Sequence, residues 1–95
     1  MATAPSMVLK LYITGATARS LRAIENIKAV CNEHLEGQYQ LEVIDLYEHP
    51  DQAALQQIIA APTLVKTEPP PERRFIGDLS DTAKVRRGLN IPDKN

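Results

Sequence analysis

Few residues of this 95-residue chain are of types that carry covalent or acid–base chemistry. Its one cysteine, Cys31, excludes an internal disulfide and is expected to be a small core residue on the apolar stripe of a helix. His34 and His49 lack the close spacing of a metal pair and are expected to face solvent. No serine lies in a glycine-flanked elbow, and the glycines stand singly, not in a phosphate-binding loop. The sequence therefore predicts no catalytic residue, no metal site and no cofactor.

Arginine side chains are the stronger signal, and they indicate binding. Arg73 and Arg74 follow a triple proline at residues 69–71, which we expect to be stiff and extended and to hold at least one guanidinium out at a sheet edge. Arg19 and Arg22 project from the first turns of a predicted helix. Guanidinium groups match carboxylates in shape and charge, so an acidic partner is indicated. Scattered, solvated charge is the alternative interpretation.

The composition limits the class of protein. The length corresponds to a single domain, residues 1–95, in which we expect loose termini at 1–7 and 91–95. Hydrophobic residues make up 43% and charged residues 24%, which is ordinary for a globular protein. A formal net charge of −1 provides no overall field toward nucleic acid or anionic membrane. With a single cysteine, no secretory signal and no apolar run long enough to span a membrane, we expect a cytoplasmic protein.

Strand and helix patterns alternate along the chain. A β-rich run at 8–14 leads through a turn into an amphipathic helix at 18–35, which Thr17 caps and Gly37 closes. A second strand at 41–46 completes a parallel βαβ unit. In the second half, a helix is predicted to start at Pro50, with a buried edge of Leu55, Ile58 and Ile59. Strands are predicted at 63–67 and 73–76 and are expected to pair antiparallel. A last helix is predicted at 81–87, capped by Ser80 and Gly88.

The segment Ala61-Pro62-Thr63 stands between the second helix and the third strand. A helix followed by X-Pro-Thr at the start of a strand resembles the thioredoxin-like superfamily, which implies a cis Ala61–Pro62 bond. The predicted order βαβαββα with a mixed four-stranded sheet is the thioredoxin topology, and another α/β topology is the alternative. In that superfamily the redox thiol lies where the first strand meets the first helix, but Thr17-Ala18-Arg19-Ser20 contains no cysteine. A redox or stress protein with residual thiol chemistry is therefore only the second hypothesis.

Three longer motifs carry a more specific resemblance. The motifs are Leu41-Glu42-Val43-Ile44-Asp45-Leu46, Ala61-Pro62-Thr63-Leu64-Val65-Lys66 and Pro69-Pro70-Pro71-Glu72-Arg73-Arg74-Phe75-Ile76-Gly77-Asp78-Leu79-Ser80. They resemble the KaiB family of circadian clock proteins, and the resemblance runs over about residues 8–90. The resemblance implies a non-catalytic adaptor that binds the N-terminal ATPase ring of a hexameric KaiC-family ATPase and modulates circadian or stress-related timing. KaiA-like and SasA-like clock proteins are further partners that it suggests. A stand-alone sensor or chaperone module for another ATPase is a third hypothesis.

The resemblance also assigns roles to residues. Lys10, Arg22, Arg73 and Arg74 match basic positions that the family uses in partner binding. The family is metamorphic, because a tetramer with a different C-terminal half converts to a thioredoxin-like monomer. Four residues are structural or fold-switch positions. Pro62 belongs to the predicted cis bond, and Gly88 matches a family glycine that influences the switch. Asn90 replaces the family's aspartate, and Pro92 follows it.

Departures from the family pattern change two expectations. Glu42 and Gln57 stand where the family usually has lysine, which weakens an interface with an acidic partner and argues against KaiA sequestration. Pro92 cannot donate a hydrogen bond to an interior strand, whereas Ser80 and Gly88 favour the last helix. We therefore expect a thioredoxin-like monomer at rest, with the tetramer as the alternative.

Overall fold

The computed structural model describes residues 6–91, which form a four-stranded sheet with helices on both faces. The strand order is β2-β1-β3-β4; β1 runs parallel to β2 and antiparallel to β3, and β4 runs antiparallel to β3. The predicted βαβαββα order is confirmed, with these bounds: β1 Met7–Ile13, α1 Ala18–Leu35, β2 Tyr39–Asp45, α2 Asp51–Leu55, β3 Thr63–Glu68, β4 Arg73–Ile76 and α3 Thr82–Gly88.

The central strand β1 supplies both sides of the core. Leu9 and Leu11 are fully buried in a large apolar cluster with α1 and α3, and Ile27 of α1 packs there. Tyr12 points to the opposite face, where it joins Val65 in a smaller cluster covered by the segment that contains α2. Because successive strand residues alternate between faces, a nearly continuous apolar strand is required at this position.

Helix α1 has the predicted bounds because both of its ends carry strong local signals. The Thr17 hydroxyl accepts a hydrogen bond from the Ser20 N–H at 3.1 Å. Gly37, two residues beyond the helix, has a φ of 76°, which glycine adopts without a steric penalty. The apolar stripe between these ends, which includes Cys31, is buried in the large cluster.

Helix α2 is shorter than predicted, and most of its expected buried edge is exposed. The chain leaves the helical conformation at Gln57, whose φ is 54°. This break turns the following residues away from the helical stripe. Of the three residues predicted for this edge, only Ile58 packs against the smaller cluster, whereas Leu55 is 67% and Ile59 is 90% exposed. The Ala61–Pro62 bond beyond them is cis, as predicted.

Three details at the chain ends and at α3 differ from expectation. The N-cap of α3 is Asp81, not Ser80, because the Asp81 carboxylate accepts the Lys84 N–H at 3.1 Å. Gly88 is the last residue of the helix, and the left-handed residue beyond it is Asn90, with a φ of 59°. Met7 and Ile91, expected in loose termini, are buried in the large cluster. Pro92 lies outside the described residues.

Candidate docking surfaces

Arg73 and Arg74 lie on opposite faces of the sheet. Arg74 is the register partner of Val65, whose side chain belongs to the smaller cluster on the α2 side. Arg73 is one residue earlier, so its side chain lies on the face of α1 and α3. The two guanidinium groups are therefore not presented together. The period of two would have shown this from the sequence, once residues 73–76 were recognised as a strand.

Arg74 braces the end of α2. Its guanidinium donates to the carbonyl oxygens of Gln56 at 2.8 Å and Gln57 at 3.0 Å, and its Nε donates to the Glu72 carboxylate at 2.9 Å. These partners fix the guanidinium, and about a third of the side chain, 34%, remains exposed. Arg74 is thus a structural link between β4 and the residues at which α2 breaks, not a freely projecting cation.

Arg22 contacts the loop between β4 and α3. Its Nε lies 3.4 Å from the Asp78 carboxylate, and Asn26 donates to the Asp78 carbonyl oxygen at 2.8 Å. The hydroxyl and the N–H of Ser80, and then the guanidinium of Arg22, hold the pKa of Asp78 below its ordinary value. The guanidinium of Arg19 lies beside Gly77 in the same loop. Two arginines of α1 therefore border the start of this loop.

Lys10 lies apart from Arg22 and Arg73, in a depression of about 560 Å³ on the α2 side of the sheet. Its register partner on β2 is Glu42, and the other side chains that line the depression include Asp45, Glu48 and His49. The surroundings of Lys10 are thus mainly acidic. Lys10 and Arg74 share one face of the sheet, whereas Arg22 and Arg73 belong to the other side.

The triple proline forms a bend, not the extended rod that was expected. The Glu68–Pro69 and Pro70–Pro71 bonds are cis, and the segment reverses the chain between the antiparallel strands β3 and β4. Lys66 is 2% exposed and its ammonium donates to the Pro69 carbonyl oxygen at 2.6 Å. A lysine in a strand is usually exposed, so the sequence carried no signal for this buried contact.

The Cys31 thiol and the His34 imidazole are sheltered from solvent, whereas the His49 imidazole is not. Cys31 is fully buried, and burial raises the pKa of its thiol to about 11. His34 does not face solvent as expected, because its side chain is only 12% exposed, whereas His49 is exposed. Within residues 6–91, no group of three His, Cys, Asp or Glu side chains is arranged to hold a metal ion. No helix of this part of the chain is long and apolar enough to cross a membrane.

Gly88 permits a close contact between α3 and β4. A Cβ atom at this position would overlap Cε2 and Cζ of the Phe75 ring, which packs against the large cluster. The absence of a side chain at Gly88 therefore lets the ring pack over the end of α3. The sequence identified Gly88 as a helix cap, but its role depends on this contact with another element.

Comparison with known proteins identifies the family. The model of the KaiB domain matches residues 10–91, which is most of the chain. The chain belongs to the KaiB family. It is 51% identical over 85 residues to the circadian clock protein KaiB3 of Synechocystis sp., and the match covers 90% of this chain and 83% of that relative. The family resemblance of the sequence motifs is thereby confirmed.

Solved structures confirm the thioredoxin-like fold. The N-terminal domain of Synechococcus elongatus SasA superposes with a TM-score of 0.74 at 20% identity, and the match covers 100% of this chain and 93% of that domain. Mitochondrial thioredoxin 3 of Saccharomyces cerevisiae gives a TM-score of 0.71 at 15% identity, with coverage of 92% and 80%. At these identities the likeness concerns the fold alone.

Proposed function

We propose that this KaiB-family protein is a non-catalytic, cytoplasmic adaptor that binds the N-terminal ATPase ring of a hexameric KaiC-family ATPase. Family membership supports the proposal, because the relatives it matches are circadian clock proteins. The observation that carries the non-catalytic part is the first turn of α1. Thr17 and Ser20 occupy the place of a redox thiol there and are hydrogen-bonded to each other, while Cys31 is fully buried.

The basic residues contribute to docking in different ways in this proposal. The side chain of Arg73 is exposed and forms no ion pair or hydrogen bond with residues 6–91, so its guanidinium is available to a partner carboxylate. Arg22 shares its charge with Asp78 and is half exposed. Arg74 acts by holding the end of α2, and Lys10 provides a cation on that same face. An acidic ring surface would thus contact more than one side of the domain.

Binding of the purified protein to the KaiC-family ATPase of the same organism tests the proposal. Truncating an interface hot spot costs about 2 kcal/mol or more, so the Arg22→Ala/Arg74→Ala double variant is expected to bind roughly thirtyfold more weakly. Arg87→Ala is the matched control, because Arg87 is an exposed arginine near the end of α3. Equal dissociation constants for the double variant and the wild-type protein would contradict the assignment of these residues.

We further propose that the protein rests as a thioredoxin-like monomer and does not sequester KaiA. Asp81 caps α3 with its carboxylate, and Glu42 places a negative charge on β2 where the family has lysine. SasA-like clock proteins stay among the proposed partners. Light scattering should give the mass of one chain, 10.5 kDa, and backbone NMR shifts should show a helix at Thr82–Gly88. A tetramer with a strand across residues 89–92 would refute the monomer.

A further inference from the structure

The outer edge of β4 is open to solvent. β4 is the last strand in the sheet order, and none of residues 6–91 pairs with its outer side. The Gly77 N–H donates to the Pro62 carbonyl oxygen at 2.9 Å, so residues 62 and 77 are a hydrogen-bonded pair of the antiparallel ladder. Because the hydrogen-bonded pairs alternate, Phe75 and Arg73 bond to β3, and the N–H and C=O groups of Arg74 and Ile76 point outward.

A groove runs beside this edge. It lies between β4 and α3 and measures about 400 Å³. Its lining is mixed, because Phe75, Leu79 and Val85 contribute apolar atoms and Ser80, Asp81 and Lys84 contribute polar ones. On the opposite face of the strand, the side chain of Ile76 is 62% exposed. An extended chain added to the edge would therefore find apolar surface for its side chains on both faces of the sheet.

The free charge at this edge is positive. Glu72 forms an ion pair with Arg74, and Asp78 forms one with Arg22. The Asp81 carboxylate accepts only the Lys84 backbone N–H and keeps its negative charge. The side chains of Arg73 and Lys84 form no ion pair with any residue between 6 and 91, and both are exposed. These two cations leave the edge complementary to carboxylates.

We propose that the outer edge of β4 accepts an extended, acidic segment of a partner protein as an additional β-strand. On the face of α3, one side chain of the segment would be apolar and fill the groove, and the side chain two residues along would be a carboxylate beside Arg73. A second copy of this chain is disfavoured, since pairing two β4 edges would bring the arginines of both copies to one ladder. The inference goes beyond the proposed adaptor function and does not depend on the identity of the ATPase.

A short peptide that reads the same in both directions is a suitable probe. We would use fluorescein-labelled Thr-Asp-Thr-Val-Thr-Asp-Thr, which presents Asp, Val and Asp on one face whichever way it binds. Controls are the same peptide with lysine for aspartate and a fully N-methylated version that cannot donate backbone hydrogen bonds. Fluorescence anisotropy measures binding, and backbone amide exchange reports which edge is occupied. We expect the unmodified peptide to slow exchange at Arg74 and Ile76 and neither control to bind.

Two variants of Ile76 separate the backbone from the side chain. Ile76→Pro removes an outward N–H without breaking a bond to β3, and it should weaken peptide binding by about tenfold, which corresponds to one lost hydrogen bond. Ile76→Ala keeps the N–H and should bind within about threefold of the wild-type protein. Arg73→Glu should abolish binding of the acidic peptide and allow binding of the lysine peptide. If circular dichroism shows that Ile76→Pro does not fold, the peptide binding of Arg73→Glu and the amide exchange of the wild-type protein with peptide test the proposal.

Several results would overturn the inference. These are wild-type affinity in a folded Ile76→Pro variant, slowed exchange at Tyr39–Asp45 of β2 in place of β4, or no binding of the acidic peptide at millimolar concentration. Self-association of the protein that Ile76→Pro abolishes would assign the edge to a second copy and would also contradict it. ATPase binding by Ile76→Pro and Ile76→Ala, which change no residue assigned to ATPase docking, reads the adaptor function separately, so failure of one proposal is distinguishable from failure of the other.

Discussion

Replacing Gly88 by alanine tests how α3 is held against the sheet. Alanine is favoured over glycine inside a helix by about 0.8–1.0 kcal/mol, which alone would stabilise the protein. The new Cβ would overlap two atoms of the Phe75 ring, and overpacking of this kind costs about 1–3 kcal/mol. The expected net result of Gly88→Ala is a loss of about 1 kcal/mol in the free energy of unfolding, the difference between these two terms.

A double-mutant cycle with Phe75→Leu isolates the contact. Leucine lacks the ring atoms that the Cβ would meet, so in that background Gly88→Ala should stabilise the protein by up to about 1 kcal/mol. The coupling energy between the two positions is then about 1–3 kcal/mol, the overpacking cost itself. Urea unfolding followed by circular dichroism measures each variant, and unchanged m-values show that the comparison is valid.

The sign of the Gly88 effect in the two backgrounds decides the outcome. Arg87→Ala serves as a control, because it changes an exposed residue in the same turn of α3. If Gly88→Ala stabilises the wild-type protein as much as it stabilises Phe75→Leu, the coupling is zero and the ring does not pack against this position. The effect of this glycine on the fold would then have to arise elsewhere.

Three further predictions concern Cys31, Asp78 and Arg74. Burial raises the pKa of the Cys31 thiol to about 11, so this thiol should react far more slowly with an aromatic disulfide reagent in the folded protein than in urea. Reduction of insulin disulfides by the wild-type protein but not by Cys31→Ala would instead support the redox hypothesis. Because the pKa of Asp78 is lowered in the folded protein, its ionised carboxylate stabilises the fold above about pH 3.8, and this contribution is lost as the pH falls through the folded pKa. NMR titration of the carboxyl group should show the lowered pKa, and Ser80→Ala should raise that pKa more than Arg22→Ala does. Arg74→Ala should lower the free energy of unfolding by about 1 kcal/mol and speed amide exchange at residues 56–58, because two hydrogen bonds to the end of α2 are lost. Unchanged stability and unchanged exchange in Arg74→Ala would refute this structural role. Arg74→Lys is the control, because it retains the charge but cannot bond both carbonyl oxygens.

Much of the fold was predictable where short-range signals agree. Helix α1 combines a threonine cap, a regular apolar stripe and a closing glycine, and its predicted bounds are those observed. The order of strands followed from β-rich segments separated by clear turns, and the cis proline from the X-Pro-Thr pattern. Each of these features depends on residues that are neighbours in the chain.

The errors concern features that distant residues determine. The break of α2 at Gln57 is held by the guanidinium of Arg74 on β4, so no local pattern in the helix marks it. The burial of Lys66 depends on the bend that places the Pro69 carbonyl next to its ammonium. Arg22 and Arg73 were recognised by type and by family resemblance, but their different surroundings emerge only when α1, β4 and the following loop are packed together.

Native mass spectrometry of the full-length KaiC-family ATPase mixed with this protein tests the central proposal most directly. We predict that the hexamer gains mass in whole multiples of 10.5 kDa, and that amide exchange slows on the N-terminal ring and near Arg22 and Arg73. The double variant Arg22→Ala/Arg74→Ala should reduce occupancy, and Arg87→Ala should not. A hexamer that gains no mass, or slowed exchange confined to its C-terminal ring, would contradict the proposal.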